Sequence, residues 1–227
     1  MKISVVMAAY NEKETIKKIM ESVLSVNNIH ELIVVDDGSN DGTTETLERI
    51  NDPKIIKLFS DKNYGKGHSL RKGFEKVTGD VVIIQDADLE YNPAEYEKLV
   101  APIIDGKADV VFGSRFIGVP HRVLFFWHYI GNRFLTLLSN ALTNINLTDM
   151  ETCYKAFKSS ILNEVKFKSQ RFGFEPEFTA KMARKGYRIY ETSISYSGRD
   201  YKEGKKITWK DGIAAIGHIL RFNLFDR

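Results

Sequence analysis

The sequence predicts an α/β protein of three layers, in which helices cover both faces of a mostly parallel sheet. Short apolar runs rich in branched residues alternate with segments whose apolar residues recur at helical spacing. No internal repeat, low-complexity segment or proline-rich linker interrupts the chain. We therefore expect residues 1–227 to form one unit, with residues 1–118 and 119–227 as its two halves.

Five apolar runs in the first half predict the strands of this sheet. Each run has the length of a buried strand and leads into turn-forming or capping residues. The runs cover residues 3–9, 32–35, 55–59, 80–84 and 110–112.

The segments between these runs predict helices. The first helix is expected to open at Tyr10-Asn11-Glu12, and the second follows capping residues 40–43. A glycine-rich loop at 63–67 precedes the third helix, and Asn92-Pro93 begins the fourth.

After Gly118 the pattern is less regular. Residues 129–142, 176–185 and 208–222 predict helices, of which the last is amphipathic. Residues 152–157 and 189–196 predict two further strands.

Composition limits the class of protein. The net charge of +3 is too small to indicate a nucleic-acid partner. Cys153 is the single cysteine, which excludes an intramolecular disulfide and fits a reducing compartment. The first apolar run is short and begins a strand, so we expect no signal peptide, and no run of about 18 apolar residues predicts a membrane span. A cytoplasmic protein, soluble or peripheral on the membrane, is the expectation.

Two aspartates, Asp86 and Asp88, follow the fourth predicted strand directly. Open α/β sheets bind ligands at the carboxyl ends of their strands. Mg²⁺ and Mn²⁺ take oxygen ligands from one or two carboxylates together with substrate phosphates. The pair therefore predicts a divalent-metal site, and the alternative is a solvated acidic loop.

Asp36 and Asp37 follow the second predicted strand in the same way. Their carboxylates suit hydrogen bonds to a nucleobase or a ribose, and the alternative is capping of the next helix. The loop Gly65-Lys66-Gly67 lacks Walker A spacing, so a plain loop explains it as well as a phosphate contact does. No Gly-x-Gly-x-x-Gly follows the first strand, which argues against a dinucleotide-binding fold.

Five motifs in order carry a family resemblance. They are Tyr10-Asn11-Glu12, Asp36-Asp37-Gly38-Ser39, Asn63-x-Gly65-Lys66-Gly67, Asp86-Ala87-Asp88 and Gly113-Ser114-Arg115. This order resembles family-2 glycosyltransferases (hexosyltransferases) of the GT-A, or nucleotide-diphospho-sugar transferase, fold. Within that family it is most similar to the dolichol-phosphate mannosyltransferase-like branch, which moves a sugar from a nucleotide sugar to a polyprenyl phosphate.

The resemblance implies roles for particular residues. The expected contacts of the base and ribose are Ala8, Tyr10, Glu12, Asp36 and Asp37, with Lys66 and Ala87 as further candidates. Asp86, Asp88 and Glu90 are expected to surround Mg²⁺ or Mn²⁺. Two departures from the branch are visible: Glu90 stands where glutamine is frequent, and Ala8-Ala9 stands where Pro-Thr is frequent.

The second half supports the same branch as a C-terminal, acceptor-side extension. Its similar segments are 149–155, 174–177 and 199–206. The resemblance implies that Arg199 and Lys205, together with Arg115 and Arg133, lie over the phosphates. Taken alone, the run 199–206 is more typical of a solvated basic loop than of a phosphate site.

The acceptor can be argued from chemistry. A hydroxyl acceptor usually needs a carboxylate base, whereas a phosphate monoester is already an oxyanion at neutral pH. The chain has neither the Glu-Asp pair nor the Gln-x-x-Arg-Trp of hydroxyl-directed relatives, although Asp149, Glu175 or Glu177 remain candidate bases. A polyprenyl phosphate acceptor and inverting, single-displacement transfer are therefore expected.

Several alternatives stay open. The donor base is uracil or guanine, and a saccharide hydroxyl is the second candidate acceptor. A nucleotide-sugar-binding protein without catalysis is a hypothesis from another class. Residues 123–129 and the last helix with Trp209 predict a peripheral membrane contact, or instead core packing or a homodimer contact.

Overall fold

The computed structural model describes residues 1–118, 122–123, 125–199 and 209–226, with side chains in the last range from Asp211 onward. The strands are β1 (Ile3–Ala9), β2 (Ile29–Asp36), β3 (Ile55–Phe59), β4 (Val81–Asp86), β5 (Val110–Ser114), β6 (Lys155–Lys158) and β7 (Ile189–Ser193). The helices are α1 (Ile16–Leu24), α2 (Thr43–Arg49), α3 (Lys66–Phe74), α4 (Tyr96–Ile104), α5 (Phe126–Thr143), α6 (Ile161–Glu164), α7 (Phe174–Arg184) and α8 (Trp209–Leu220).

These strands form one sheet in the order β3-β2-β1-β4-β6-β5-β7. All neighbouring strands are parallel except β6, which runs antiparallel to β4 and to β5. The predicted mostly parallel sheet is confirmed. Strands β6 and β7 come from the second half of the sequence, so both halves contribute to the sheet.

Hydrophobic cores lie on both faces of the sheet because each central strand is apolar on both sides. Along β1, Val5 and Met7 pack in the cluster that includes residues of α1 and α4. Val6, between them, packs with residues of α3, α5 and α7. This arrangement explains the continuous apolar runs in the sequence, which are typical of buried parallel strands.

The chain order creates a switch point between β1 and β4. From β1 the chain proceeds outward through β2 and β3, and it then returns to place β4 on the other side of β1. The loops that follow β1 and β4 therefore diverge and leave a crevice at the carboxyl ends of these strands.

Several predicted boundaries were wrong, and three of them have a clear physical reason. Helix α1 begins at Ile16, not at Glu12, because Asn11 takes a φ of 53° that a right-handed helix excludes. Strand β6 begins at Lys155 because residues before it form a turn, in which the Tyr154 amide donates to Thr152 Oγ1. Strand β7 ends at Ser193, and the chain then bonds to side chains outside the sheet, where the Ser195 amide donates to Glu95.

In the ranges given above, no helix is long and apolar enough to cross a membrane. Helix α8 lies within residues 208–222, where the amphipathic pattern predicts a helix, and it is followed by a short π-helical segment, Arg221–Phe225. Lys205, Leu124 and the Trp209 side chain lie outside the part that the structure describes.

Candidate functional site

Three loops meet at the carboxyl edge of the sheet, as the sequence predicts. In the strand register, Ala8 of β1 is level with Asp86 of β4, and Ala9 is level with Asp36 of β2. The first two loops are joined directly, because the Asn11 amide donates to Ser39 Oγ at 2.9 Å. Candidate site residues from three separate segments of the sequence therefore lie close together at the carboxyl edge of the sheet.

The guanidinium of Arg199 lies among three carboxylates of these loops. Its closest contact is to Asp88 Oδ2 at 2.9 Å. Longer contacts of 3.4 Å reach Glu12 Oε2 and Glu90 Oε1. Asp88 and Arg199 keep 16% and 20% of their side-chain surface exposed, so the group is largely buried but still reachable from solvent. The predicted phosphate-binding arginine and the predicted metal-binding aspartate are thus paired with each other.

Glu90 is mainly engaged by the segment that carries Arg199. Its Oε2 accepts a hydrogen bond from the Tyr196 hydroxyl at 2.8 Å, and its Oε1 accepts from the Arg199 amide at 2.8 Å. Its backbone carbonyl accepts from the Ser197 amide at 3.0 Å. Both carboxylate oxygens of this predicted metal ligand therefore hold a protein segment in place.

Asp88 lies where negative charge accumulates. Burial, with the nearby charges of Asp86 and Glu90, raises its pKa to about 7, while Arg199 acts in the opposite direction. A cation close to Asp88 favours the ionised carboxylate, because opposite charge offsets both effects.

Asp86 faces a buried cluster on the other side of this loop. Lys66 Nζ lies 2.7 Å from Asp86 Oδ1, 2.7 Å from Cys153 Sγ and 3.3 Å from Glu175 Oε1. Burial opposes the charge of Lys66, but the charge of Asp86 and its other neighbours outweighs burial and raises the pKa of Lys66 well above its usual value. Burial also raises the pKa of the Cys153 thiol, which stays neutral. Lys66 thus neutralises Asp86 within the protein.

The glycine loop does not present a ring of free amides. At the start of α3, the Gly67 amide donates to the Arg171 carbonyl at 3.3 Å, and the His68 amide donates to the Gln170 carbonyl at 2.9 Å. Glycine is required at 67 because a Cβ there would lie 2.6 Å from the Ser169 carbonyl oxygen. The plain-loop interpretation explains these backbone contacts, and only the Lys66 side chain reaches the site.

Asp36 and Asp37 are both buried and hydrogen-bonded. Asp36 accepts from Ser39 Oγ at 2.6 Å and from the Thr44 hydroxyl, which ties the loop to the start of α2. Asp37 accepts from the amides of Tyr64 and Gly65 at 3.1 and 2.6 Å. Both carboxylates therefore bridge neighbouring loops in this structure, and contact with a base or ribose stays a prediction.

Arg115 forms a closed ion pair with Asp149. Its Nε and Nη2 lie 2.6 and 2.7 Å from the two oxygens of Asp149, a side chain with no exposed surface. Its guanidinium carbon also lies 5.2 Å from the centre of the Tyr196 ring. Contact between Arg115 and a phosphate stays a prediction.

The three candidate bases differ in which protein groups already contact their carboxylates. Asp149 is paired with Arg115, and Glu177 accepts from the amides of Lys168 and Ser169 at 2.7 Å and from Lys181. Glu175 is the candidate that belongs to the sheet-edge cluster, through Lys66.

The remaining residues that were predicted to contact the nucleotide sugar lie in different surroundings. Ala87 is buried between the two aspartates, and Tyr10 and Ala8 are partly buried at the end of β1. Arg133 is exposed on α5, without a described contact to the carboxylates at the sheet edge. Cys153 and Tyr196 were missed as neighbours of the site, since neither has ligand spacing in the sequence and only tertiary packing brings them there.

Within the described ranges, no group of three or more His, Cys, Asp or Glu side chains is arranged to hold a metal ion. The donor set nevertheless fits a hard cation, because oxygens of Asp88 and Glu12 already face one positive charge, that of Arg199, while Glu90 holds the segment that carries Arg199. Mg²⁺ commonly takes only one or two carboxylates when substrate phosphates complete its ligands.

Solved structures of glucosyl-3-phosphoglycerate synthase from Mycobacterium tuberculosis share this fold. The complex of that enzyme with Mn²⁺, UDP and glucosyl-3-phosphoglycerate matches 98% of this chain and 80% of its own, with a TM-score of 0.76 and 21% identity. The complex with Mg²⁺ and UDP matches 98% and 79%, with a TM-score of 0.74 and 21% identity. The predicted three-layer GT-A fold is confirmed, and the acceptor-side role of the C-terminal half stays a prediction.

Two curated relatives are similar in sequence. Undecaprenyl-phosphate 4-deoxy-4-formamido-L-arabinose transferase from Proteus mirabilis (strain HI4320) is 29% identical over 211 residues, which are 90% of this chain. The enzyme of the same name from Yersinia enterocolitica (serotype O:8 / biotype 1B) is 28% identical over 211 residues and 90% of this chain. The chain spans 62% of the length of each relative.

The family profile of Glycosyl transferase family 2 matches residues 4–166. This match contains every motif from Tyr10 to Asp149 on which the resemblance was based. Because it covers well over half of the sequence, the chain belongs to glycosyl transferase family 2.

Proposed function

We propose that this chain transfers a sugar from a nucleotide-diphospho-sugar to a polyprenyl phosphate with the help of Mg²⁺ or Mn²⁺. The observation that carries the proposal is the meeting of Asp88, Glu12 and Arg199 at the switch point between β1 and β4. That crevice is where a nucleotide binds in open α/β sheets. The sequence relatives are named for transfer to undecaprenyl phosphate, which supports the acceptor class.

Asp86 and Asp88 would hold the divalent ion, which supplies positive charge to the leaving diphosphate. Arg199 adds a guanidinium that matches phosphate oxygens in a bidentate way. The ion pair with Lys66 keeps the Asp86 carboxylate ionised and holds it in position. Attack by the acceptor oxyanion on the anomeric carbon then inverts its configuration in one displacement.

The nucleoside would lie over the ends of β1 and β2, beside Tyr10 and the Asp36-Asp37 turn. The neighbouring solved structures contain UDP, which makes a UDP-sugar the first donor to examine and a GDP-sugar the second. The single cysteine fits a reducing compartment, so we place the reaction on the cytoplasmic side of the membrane.

A phosphate acceptor agrees with the state of the carboxylates. Asp149 and Glu177 are occupied by protein donors, and Glu175 lies against the Lys66 ammonium. None of the three is therefore poised to remove a proton from a hydroxyl, whereas a phosphate monoester needs no base. The candidate that remains for a saccharide hydroxyl is Glu175, if Lys66 moves away from it.

A transfer assay tests this function. The protein is incubated with radiolabelled UDP- and GDP-sugars, Mn²⁺ and undecaprenyl phosphate, and the label is followed into the organic phase. We expect label in the lipid phase with undecaprenyl phosphate and none with undecaprenol, which lacks the phosphate. Label that appears only on added saccharide would favour the hydroxyl acceptor. Binding of the nucleotide sugar without transfer or hydrolysis would favour the non-catalytic alternative.

We also propose that α5 provides the contact with the membrane. Phe126, Trp127, Phe134 and Leu137 expose 63%, 78%, 53% and 68% of their surface. Residues 126, 130, 134 and 137 recur at helical spacing, so they form a stripe along the helix. Such a stripe suits the interface of a lipid bilayer, where the acceptor lies.

Flotation with anionic phospholipid vesicles measures this contact. The Trp127→Asp/Leu137→Asp variant should stay in the soluble fraction, while the unchanged chain floats, because a charge in the bilayer interface opposes insertion of the apolar face. Ile104→Asp is a matched control, since Ile104 is 56% exposed on the distant helix α4 and its variant should float. An unchanged chain that remains wholly soluble, or that sediments as a dimer through α5, would contradict the membrane role.

A further inference from the structure

We infer that Arg199 is an exchangeable internal cation and that Glu90 is the residue that positions it. In the nucleotide-free chain Arg199 neutralises Asp88, and it competes there with the divalent ion. When the donor diphosphate binds, Arg199 moves to the phosphates and leaves Asp88 to the ion. This inference rests on the proposed function, because it assigns Asp88 to a metal-diphosphate site.

The guanidinium of Arg199 is shared by several carboxylates and is not paired with a single one. Its guanidinium touches Asp88 at 2.9 Å, but it reaches Glu12 and Glu90 only at 3.4 Å. Arg115, by contrast, meets both oxygens of Asp149 at 2.6 and 2.7 Å. A fork closed on one carboxylate is a fixed pair, whereas a guanidinium spread over three carboxylates has no single partner that holds it. Arg199 therefore loses less than Arg115 when a new anion arrives.

Glu90 holds the backbone of Arg199 independently of its guanidinium. The Arg199 amide donates to Glu90 Oε1 at 2.8 Å, and the Tyr196 hydroxyl donates to Oε2 at 2.8 Å. Leu89, between Asp88 and Glu90, has a φ of 65°, which turns the chain sharply at this point. The guanidinium can thus leave Asp88 while its backbone stays anchored beside the site.

The charges make the exchange cooperative. Without nucleotide, a divalent ion at Asp88 must displace Arg199, whose guanidinium then keeps only its longer contacts to Glu12 and Glu90. With nucleotide, the diphosphate provides that partner, because guanidinium and phosphate pair in a bidentate way. Metal and nucleotide should therefore strengthen the binding of each other by the same factor.

The test measures binding of Mn²⁺ by the full chain with no donor sugar and no acceptor, from the EPR signal of the free ion. Each protein is titrated with Mn²⁺ alone and again with saturating UDP or GDP. The unchanged chain should bind Mn²⁺ weakly alone and about tenfold or more tightly with the nucleotide it accepts, within the usual range of coupling between two sites.

In Arg199→Gln, we expect Mn²⁺ alone to bind about tenfold more tightly than in the unchanged chain, a gain of about 1.4 kcal/mol. The nucleotide should add less in this variant than in the unchanged chain, because its phosphates still provide ligands to the ion but no longer draw Arg199 away from Asp88. Arg188→Gln is the matched control: Arg188 also forms an ion pair at 2.9 Å, with Asp109, away from this site, and its variant should bind like the unchanged chain.

Glu90→Gln separates a positioning residue from a metal ligand. Glutamine keeps an oxygen that accepts from the Arg199 amide, so Mn²⁺ affinity should be unchanged, whereas loss of a ligand, or of a group that orients a ligand, weakens metal binding by about tenfold or more. Such a weakening would overturn the role given to Glu90.

Unchanged Mn²⁺ affinity and unchanged coupling in folded Arg199→Gln would overturn the exchange. Because no transfer is measured, a chain that shows the exchange but moves no sugar would refute the proposed function and leave this inference intact.

Discussion

Replacing Asp88 with alanine should lower sugar transfer by about a hundredfold to a thousandfold, the loss expected when one group that stabilises transition-state charge is removed. Asp88 is the carboxylate whose main partner is the shared cation Arg199, whereas Asp86 is neutralised by Lys66. Without Asp88, the ion and Arg199 have no common anchor beside the diphosphate. Initial rates with a fixed nucleotide sugar, over a range of Mn²⁺ concentrations, measure the loss.

Asp105→Ala serves as the control for this substitution. Asp105 is an exposed aspartate that pairs with Lys107 at 2.9 Å, and its removal should leave transfer unchanged. Substantial activity of folded Asp88→Ala, restored or not by added metal, would contradict the role of Asp88.

Replacing Asp149 with alanine should lower the free energy of unfolding by about 3–5 kcal/mol, because it leaves a buried cation without its partner. Asp149 has no exposed side-chain surface, and Arg115 keeps 14%. Both hydrogen bonds of the fork are lost together, and the guanidinium stays out of water. Urea unfolding followed by circular dichroism measures the change.

A double substitution tests whether the cost arises from the unpaired charge. Arg115→Met/Asp149→Leu should recover most of the stability, since apolar residues of similar size often replace a buried ion pair without loss. Lys107→Ala, which removes an exposed pair, should cost less than about 1 kcal/mol. If Asp149→Ala loses no more than Lys107→Ala, the pair is not the buried fork seen here.

Much of the fold could be predicted because buried parallel strands leave a direct pattern. Strand β3 has the bounds expected from its apolar run, and β1 likewise agrees at both ends. The start of α1 could not be predicted in this way. Asn11 is turned out of helical geometry by bonds to Ser39 and Asn40, which lie on another loop.

The position of the site could also be predicted, since strand order alone brings the loops after β1, β2 and β4 to one edge. The partners of each carboxylate could not. Arg199 reaches Asp88 across 111 residues of sequence, and Lys66 reaches Cys153 across 87. Glu90 shows the limit well: the family resemblance implied a metal ligand at this position, but the sequence could not show that its oxygens hold the backbone and hydroxyl of a segment that the motif does not contain.

The most direct measurement of the central claim is calorimetric titration of the protein with UDP- and GDP-sugars, in Mn²⁺ or Mg²⁺ and again after EDTA. A metal-dependent nucleotide-sugar site predicts that sugars of one nucleotide class bind with the ion present and lose their affinity when EDTA removes it. Folded protein that binds neither class, or that binds equally well in EDTA, would contradict the account.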